Sequence, residues 1–364
     1  MARTLWLIIL LALPTLAQTP LDEAYRLRQA GKLTQAFEAF ERLADSQPGL
    51  AHREMASILL QLGRVNPALE QLDVALAVEP QDPESLALRA EILGRLDRPD
   101  EALAALERAL AVRPDDAELL LARGYALSDL GRFQEAADSH SQALSRKPDL
   151  ALALAGRAYA RGELGQLEPA LADCQAALAL EPNLAAAYHT RAQLRLGSDP
   201  ATALKDFDRA IALDPTNPFT YAGRAEAYQA LKQDKRALSD YDQAIELDPG
   251  RPLVYAARGE LLARLGRVSR AIYDLDKAVE LGPASADIRA TRASFYAGLG
   301  RLPEALSDFD AAIELEPSAD RLAARAEVLE ALGRKEAALA DVDKAIGLEA
   351  RPEFLELRSR LLEK

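Results

Sequence analysis

The sequence predicts an all-α stack of ten helix–turn–helix units closed by a C-terminal capping helix, and three observations carry that prediction. Of 364 residues, 73 are Ala and 65 are Leu, both strong helix formers, whereas aromatic residues make up 5% and sheet-favouring side chains are scarce. Nine prolines, Pro48, Pro80, Pro114, Pro148, Pro182, Pro215, Pro249, Pro283 and Pro317, recur every 32–34 residues, a period that marks stacked supersecondary units. Small residues recur at fixed places within each period.

Met1–Ala17 stands apart. Arg3 is its only charge, an apolar run from Leu5 to Leu13 follows, and the segment ends Pro14-Thr15-Leu16-Ala17. That order reads as a secretory signal, residues 1–17, cleaved after Ala17. The run is too short to span a bilayer's ~30 Å of hydrocarbon at ~1.5 Å per residue, so no stable membrane span is expected after cleavage. The reading places the protein outside the cytoplasm, periplasmic or secreted.

Residues 18–350 hold the ten units. With the recurrent proline numbered position 32, position 20 is Ala throughout, from Ala36 to Ala338, position 8 is always small, and position 27 is usually Ala. Position 15 is usually Gly (Gly31, Gly63, Gly131, Gly165, Gly266, Gly300, Gly333), where a left-handed cap would end a first helix. Pro67, Pro99, Pro169, Pro200 and Pro303 then open second helices, and Pro83, Pro218, Pro252 and Pro352 open first helices, places where proline loses no hydrogen bond. Larger side chains at position 24 fill the space between helices. Such a unit cannot bury its apolar face alone. Residues 351–364, with Phe354, Leu355, Leu361 and Leu362, read as the cap.

Length, small positions, turn glycine and terminal proline together resemble the tetratricopeptide repeat family, over residues 18 to 350. The resemblance implies a right-handed α-solenoid whose first helices line a concave groove, with contacts from positions 2, 5, 9 and 12. On this chain those positions supply Glu91, Tyr125, Tyr159, Gln193, Glu226 and Glu260 at position 9 and Arg53 and His189 at position 5. Acids outnumber bases among them, and Tyr125, Tyr159 and His189 fall in successive units. The expected partner is therefore an extended protein or peptide segment with basic and aromatic or apolar groups. Position 6 carries no Asn, against the family's clamp for a C-terminal carboxylate. The implied function is a non-enzymatic exported interaction scaffold; the alternative is an accessory subunit that positions an exported enzyme or envelope-assembly partner.

Position 7 departs from the family: Arg89, Arg123, Arg157, Arg191, Arg224, Arg258, Arg292, Arg325 and Arg358 stand where Leu is usual. Paired acids on the second helices, among them Asp240 with Asp242 and Asp274 with Asp276, read as their ion-pair partners, Asp274 or Asp240 for Arg258. The competing reading is an arginine-lined anion groove. Units five to seven are irregular, with Arg161 and Arg195 at position 11, a shortened turn Gly197-Ser198-Asp199-Pro200, and Lys232 in place of Gly. They read as drift in a tolerant turn or as a bend near residue 198.

Chemistry for catalysis is not legible. The single Cys174 and the histidines His52 and His140 sit at packing positions, His189 has no paired ligand at helical spacing, and the glycines never cluster as in a phosphate loop. No cofactor is expected. A net charge of −13 disfavours nucleic acid, whose phosphates it would repel.

Overall fold

The computed structural model describes residues 19–363, and every regular element among them is a helix. The expected signal segment lies outside the described residues. The chain divides into two compact bodies, Met1–Thr190 and Arg191–Lys364.

In the N-terminal body the helices pair as α1 (Pro20–Gln29) with α2 (Leu33–Glu41), α3 (Pro48–Gln61) with α4 (Val65–Val78), α5 (Pro83–Arg95) with α6 (Pro99–Val112), α7 (Ala117–Asp129) with α8 (Phe133–Arg146), and α9 (Ala151–Glu163) with α10 (Leu167–Leu180). The division at Thr190 falls within α11 (Ala185–Leu196). The C-terminal body continues with α12 (Pro200–Leu213), then pairs α13 (Pro218–Ala230) with α14 (Asp234–Leu247), and α15 (Pro252–Arg264) with α16 (Val268–Leu281). It ends with α17 (Ala286–Gly298) on α18 (Leu302–Leu315), α19 (Ala319–Ala331) on α20 (Lys335–Leu348), and α21 (Pro352–Glu363) on α20. Each body is thus a stack of helix–turn–helix repeats.

Local chemistry fixes the ends of these helices. Thr19 caps α1 through a reciprocal box with Asp22, whose carboxylate accepts from the Thr19 amide at 3.0 Å. Asp82, Asp116, Asp199, Asn217, Ser285 and Ser318 cap later helices with their side chains. The seven turn glycines all have φ of 70–74°. Asp97 and Lys232, at the same position in repeats 3 and 7, adopt φ of 56° and 57°. The turn therefore imposes the left-handed conformation on residues that pay a steric cost for it. Pro48 departs from its row: it opens α3 instead of lying in the preceding loop.

The small positions bring helices together. All ten Ala residues at position 20, Ala36 to Ala338, are buried, and so are the ten residues at position 24, including Phe40, His140, Cys174, Phe207, Tyr241 and Phe309. A Cβ on Gly223 would come within 2.7 Å of the Phe207 ring, so glycine at that contact is what admits phenylalanine.

The position-7 arginines from Arg224 to Arg325 are each paired with two aspartates. Arg258 donates through Nε and Nη2 to both oxygens of Asp274, each at 2.8 Å, and through Nη1 to Asp242 at 2.6 Å. Arg224 engages Asp240 and Asp208, Arg292 engages Asp308 and Asp276, and Arg325 engages Asp341 and Asp310 in the same way. Each arginine therefore binds the buried Asp of its own repeat with a fork and the more exposed Asp of the preceding repeat with its remaining nitrogen. Asp274, not Asp240, holds Arg258, because Asp240 faces Arg224. The Asp240 carboxylate pushes the Arg224 guanidinium further above its ordinary range.

The irregular arginines belong to this system. Arg161 donates to Asp173 at 2.6 Å beside Arg157, and Arg195 to Asp206 at 3.0 Å beside Arg191. In repeat 5 the preceding repeat offers Ser141 in place of the exposed Asp, and it accepts from Arg157 at 3.2 Å. The buried Asp173 and Asp206 thus each accept from two arginines. Both residues, Arg161 and Arg195, are therefore ion-paired within their own repeats.

Candidate functional site

Within each body, first helices of neighbouring repeats touch one another: α7 meets α5 and α9, and α17 meets α15 and α19. Their small residues leave a groove on that face in each body.

The groove of the N-terminal body has a volume of about 790 Å³. Its walls are Ala87, Leu88, Ala90, Leu121, Ala122 and Ala126, with Leu152 at one side, and its polar groups are Glu91, Glu118, Asp129 and the Tyr125 hydroxyl. Tyr125 is 38% exposed. Its hydroxyl donates to the Leu152 carbonyl at 3.2 Å, tying α7 to α9, and burial pushes its pKa up to about 12. The ring stands edge-on to His140, with centroids 5.2 Å apart. Lys147 binds Glu118 at 3.0 Å and Arg95 binds Glu91 at 2.8 Å. Asp129 takes up protons more readily than an ordinary aspartate, through lost hydration and then the neighbouring Asp97 charge. The trough is thus apolar at its base and acidic at its rim.

The groove of the C-terminal body is about 730 Å³ and of different character. Glu260, Arg264, Asp287, Ser294, Asp320 and Arg321 line it together with Phe295 and small residues. Arg321 is 9% exposed and is held by the Glu316 carbonyl at 2.6 Å and the Glu316 carboxylate at 3.1 Å, with Asp287 on its other nitrogen. Arg264 donates to Gln229.

The residues expected at the site do not meet in one place. Glu91 and Tyr125 share the first groove. Tyr159 is half-buried and packs edge-on to Phe133 at 6.1 Å. Its phenol is raised by burial, Glu163 and Asp129. His189 is half-buried on α11, and burial pushes its pKa down to about 4. Gln193 is exposed at the start of the C-terminal body. Glu226 is exposed on α13, and lost hydration raises its carboxyl. Glu260 lines the second groove. Leu121, Ala122, Glu118 and Asp129 were missed. Glu118 at position 2 and Leu121 at position 5 carried the same positional signal as Tyr125. Asp129, at position 13, carried none.

Among the described residues, no group of three or more His, Cys, Asp and Glu side chains is arranged to hold a metal ion, and no helix is long and apolar enough to cross a membrane. Cys174 is buried.

Two family models described as Tetratricopeptide repeat match the chain, one at residues 87–151, 222–286 and 291–353 and the other at residues 27–92. No curated protein matches it in sequence. Among solved structures, a human IFIT1 dimer with PPP-AAAA is similar at 17% identity and a TM-score of 0.69, covering 93% of this chain and 88% of that one. Yeast Tom70 matches at 17% identity and a TM-score of 0.49, over 93% of this chain and 86% of that one. The likeness to IFIT1 concerns the fold alone. With the recurrent turns, small contact positions and paired helices in place, the matched segments close the assignment: this chain belongs to the tetratricopeptide repeat family.

Proposed function

We propose that this chain is a non-enzymatic scaffold, exported from the cytoplasm, that binds an extended segment of a protein partner along the first helices of its N-terminal body. The observation that carries the reading is the apolar trough of about 790 Å³ with Tyr125 in its wall and Glu91, Glu118 and Asp129 at its rim. Tyrosine offers a large contact area with few torsions to freeze, and rim acids select cationic flanks. The partner segment accordingly carries basic residues around aromatic or apolar ones. A net charge of −13 opposes a nucleic-acid partner, and the PPP-AAAA of the IFIT1 structure is no guide to this chain's ligand. Export is supported by the order of charge, apolar run and small residues in Met1–Ala17.

A fluorescein-labelled dodecapeptide alternating Lys with Phe and Leu tests the groove. It should bind the purified chain and lose affinity at least about 30-fold on Tyr125→Ala, the equivalent of a ~2 kcal/mol anchor, while a Glu-substituted counterpart should not bind. Equal binding by wild type and Y125A places the contact elsewhere. N-terminal sequencing of the protein from the cell exterior should begin at Gln18; an intact Met1 removes the export reading.

A further inference from the structure

Ten side chains occupy position 24, and nine of them are Phe40, Leu72, Leu106, Cys174, Phe207, Tyr241, Leu275, Phe309 and Val342. The tenth, His140, is alone among them in ionising below pH 7. It is fully buried, and among the described residues neither Nδ1 nor Nε2 has a hydrogen-bond partner. Two glycines close on the ring: a Cβ on Gly124 of α7 would lie 2.4 Å from its Cε1, and one on Gly156 of α9 would lie 2.6 Å away. Its third neighbour is Tyr125, which bridges α7 to α9 over it and forms part of the groove wall.

A neutral ring suits this place. Phe207 fills the equivalent place of repeat 6 against Gly223. A charged ring does not, because an unpaired buried cation is strongly unfavourable. From α7 it faces the neutral Tyr125 ring, and Arg123 on that helix is engaged by Ser139 at 2.9 Å and Gln142 at 3.0 Å. From α9 it faces Arg157, which is engaged by Asp173 and Ser141. Its own helix contributes Ser139 and Ser141, both already bonded. Burial, and then the positive Arg157, hold its pKa down to about 4. Weak cation–π attraction from the Tyr125 ring does not replace a counter-ion.

We infer that His140 is an acid-sensing wedge: on taking up a proton it parts α7 from α9, draws Tyr125 out of the groove wall and weakens the groove's hold on an apolar side chain. The opening stands on the packing alone, and its consequence for ligands rests on the groove reading above. Neutral His140 keeps the wall shut near pH 7, and acidification releases it.

Hydrogen exchange of the whole chain at pH 7.5 and 5.0, corrected for intrinsic rates, reads the opening directly. Proton linkage between an ordinary histidine in the open form and one near pKa 4 in the closed form predicts a rise of about 25-fold in the opening constant of α7–α9. His140→Phe should hold the change below about twofold, and His140→Leu, with the residue type of Leu106 at the same position, serves if phenylalanine overfills the site. The Tyr125 ring resonance of ¹³C-tyrosine protein should move in wild type and stay in the variant. Unchanged protection in wild type, or the same acid opening in both variants, overturns the wedge. The Lys/Phe/Leu dodecapeptide should weaken at least about threefold between the two pH values in wild type alone, as linkage through Tyr125 requires. Equal binding at both overturns the link to the groove. If the peptide does not bind at pH 7.5, the groove reading fails while exchange still decides the wedge.

Discussion

From repeat 3 to the start of repeat 6 one continuous run of buried apolar side chains extends from Leu86 on α5 to Ala187 on α11. In the C-terminal body the buried apolar residues fall into separate smaller groups, such as those around Tyr241, Phe207, Phe309 and Val342. The arginine ladder runs the other way. It is complete from Arg224 to Arg325, with a buried Asp under each rung. In the N-terminal body it lapses: Met55 stands in for arginine in repeat 2, and Arg123 rests on the neutral Ser139 and Gln142. The two bodies show that one repeat geometry is compatible with two ways of fixing its register. The gap at Arg123 falls within the continuous apolar run, whereas Met55 packs in a separate group around Phe40. A fragmented core coincides with directional, forked ion pairs that specify which helix meets which.

The sharpest way to break this comparison is to remove one arginine from each body. Arg258→Met leaves Asp274, 2% exposed at its side chain, without its cation and should cost about 3–5 kcal/mol. Arg123→Met loses neutral hydrogen bonds and should cost only about 1 kcal/mol. Urea unfolding of both variants measures the difference, and equal costs would dissolve the contrast. Double-mutant cycles refine it: R258M with Asp274→Asn should be clearly less than additive, whereas R258M with Asp240→Asn should be additive.

Acid should weaken the N-terminal body specifically. His140 holds a pKa of about 4 when folded, below the ~6.5 of an unfolded histidine. The unfolded chain therefore binds more protons between those values. The stabilising effect of the neutral ring is complete above about pH 6.5 and is lost as pH falls towards 4, reaching about 3 kcal/mol. His189 adds a loss of the same sign. Stability measured across pH 4 to 7 should flatten partly in H140F. A profile identical to wild type would show that the burial of His140 does not govern the slope.

Smaller effects test the close approaches. Gly156→Ala places a methyl within 2.6 Å of the His140 ring, and Gly223→Ala places one within 2.7 Å of Phe207. Each should cost about 1–3 kcal/mol through overpacking, visible as a lowered Tm. The smallest expected change is a gain. Lys232→Gly relieves a left-handed residue and should stabilise by up to about 1 kcal/mol, and Asp97→Gly should act likewise in the other body. A loss on either substitution would mean that those side chains contribute more than their backbone strain removes.

The sequence by itself determined the repeat, its turns and its close contacts. Those features are local and recur: a proline that opens a helix, a residue forced to positive φ, an alanine where helices meet. Each is readable from residue type and spacing because its cause lies within a few residues of backbone. The partners of the ladder were not readable, because a periodic array offers every arginine several equivalent acids. Asp274 and Asp242 both stand 16 residues from Arg258, and Asp240 looked equally eligible until the helices were packed and side-chain direction chose. The same degeneracy hid the partners of Arg161 and Arg195, which are Asp173 and Asp206. Tertiary structure also put Glu91 and Tyr125 in one groove and Glu260 in another, with Tyr159, His189, Gln193 and Glu226 in neither, and it left His140 enclosed by Gly124, Gly156 and Tyr125 with both nitrogens unbonded. Enclosure is a property of three helices at once, and no spacing along one of them encodes it.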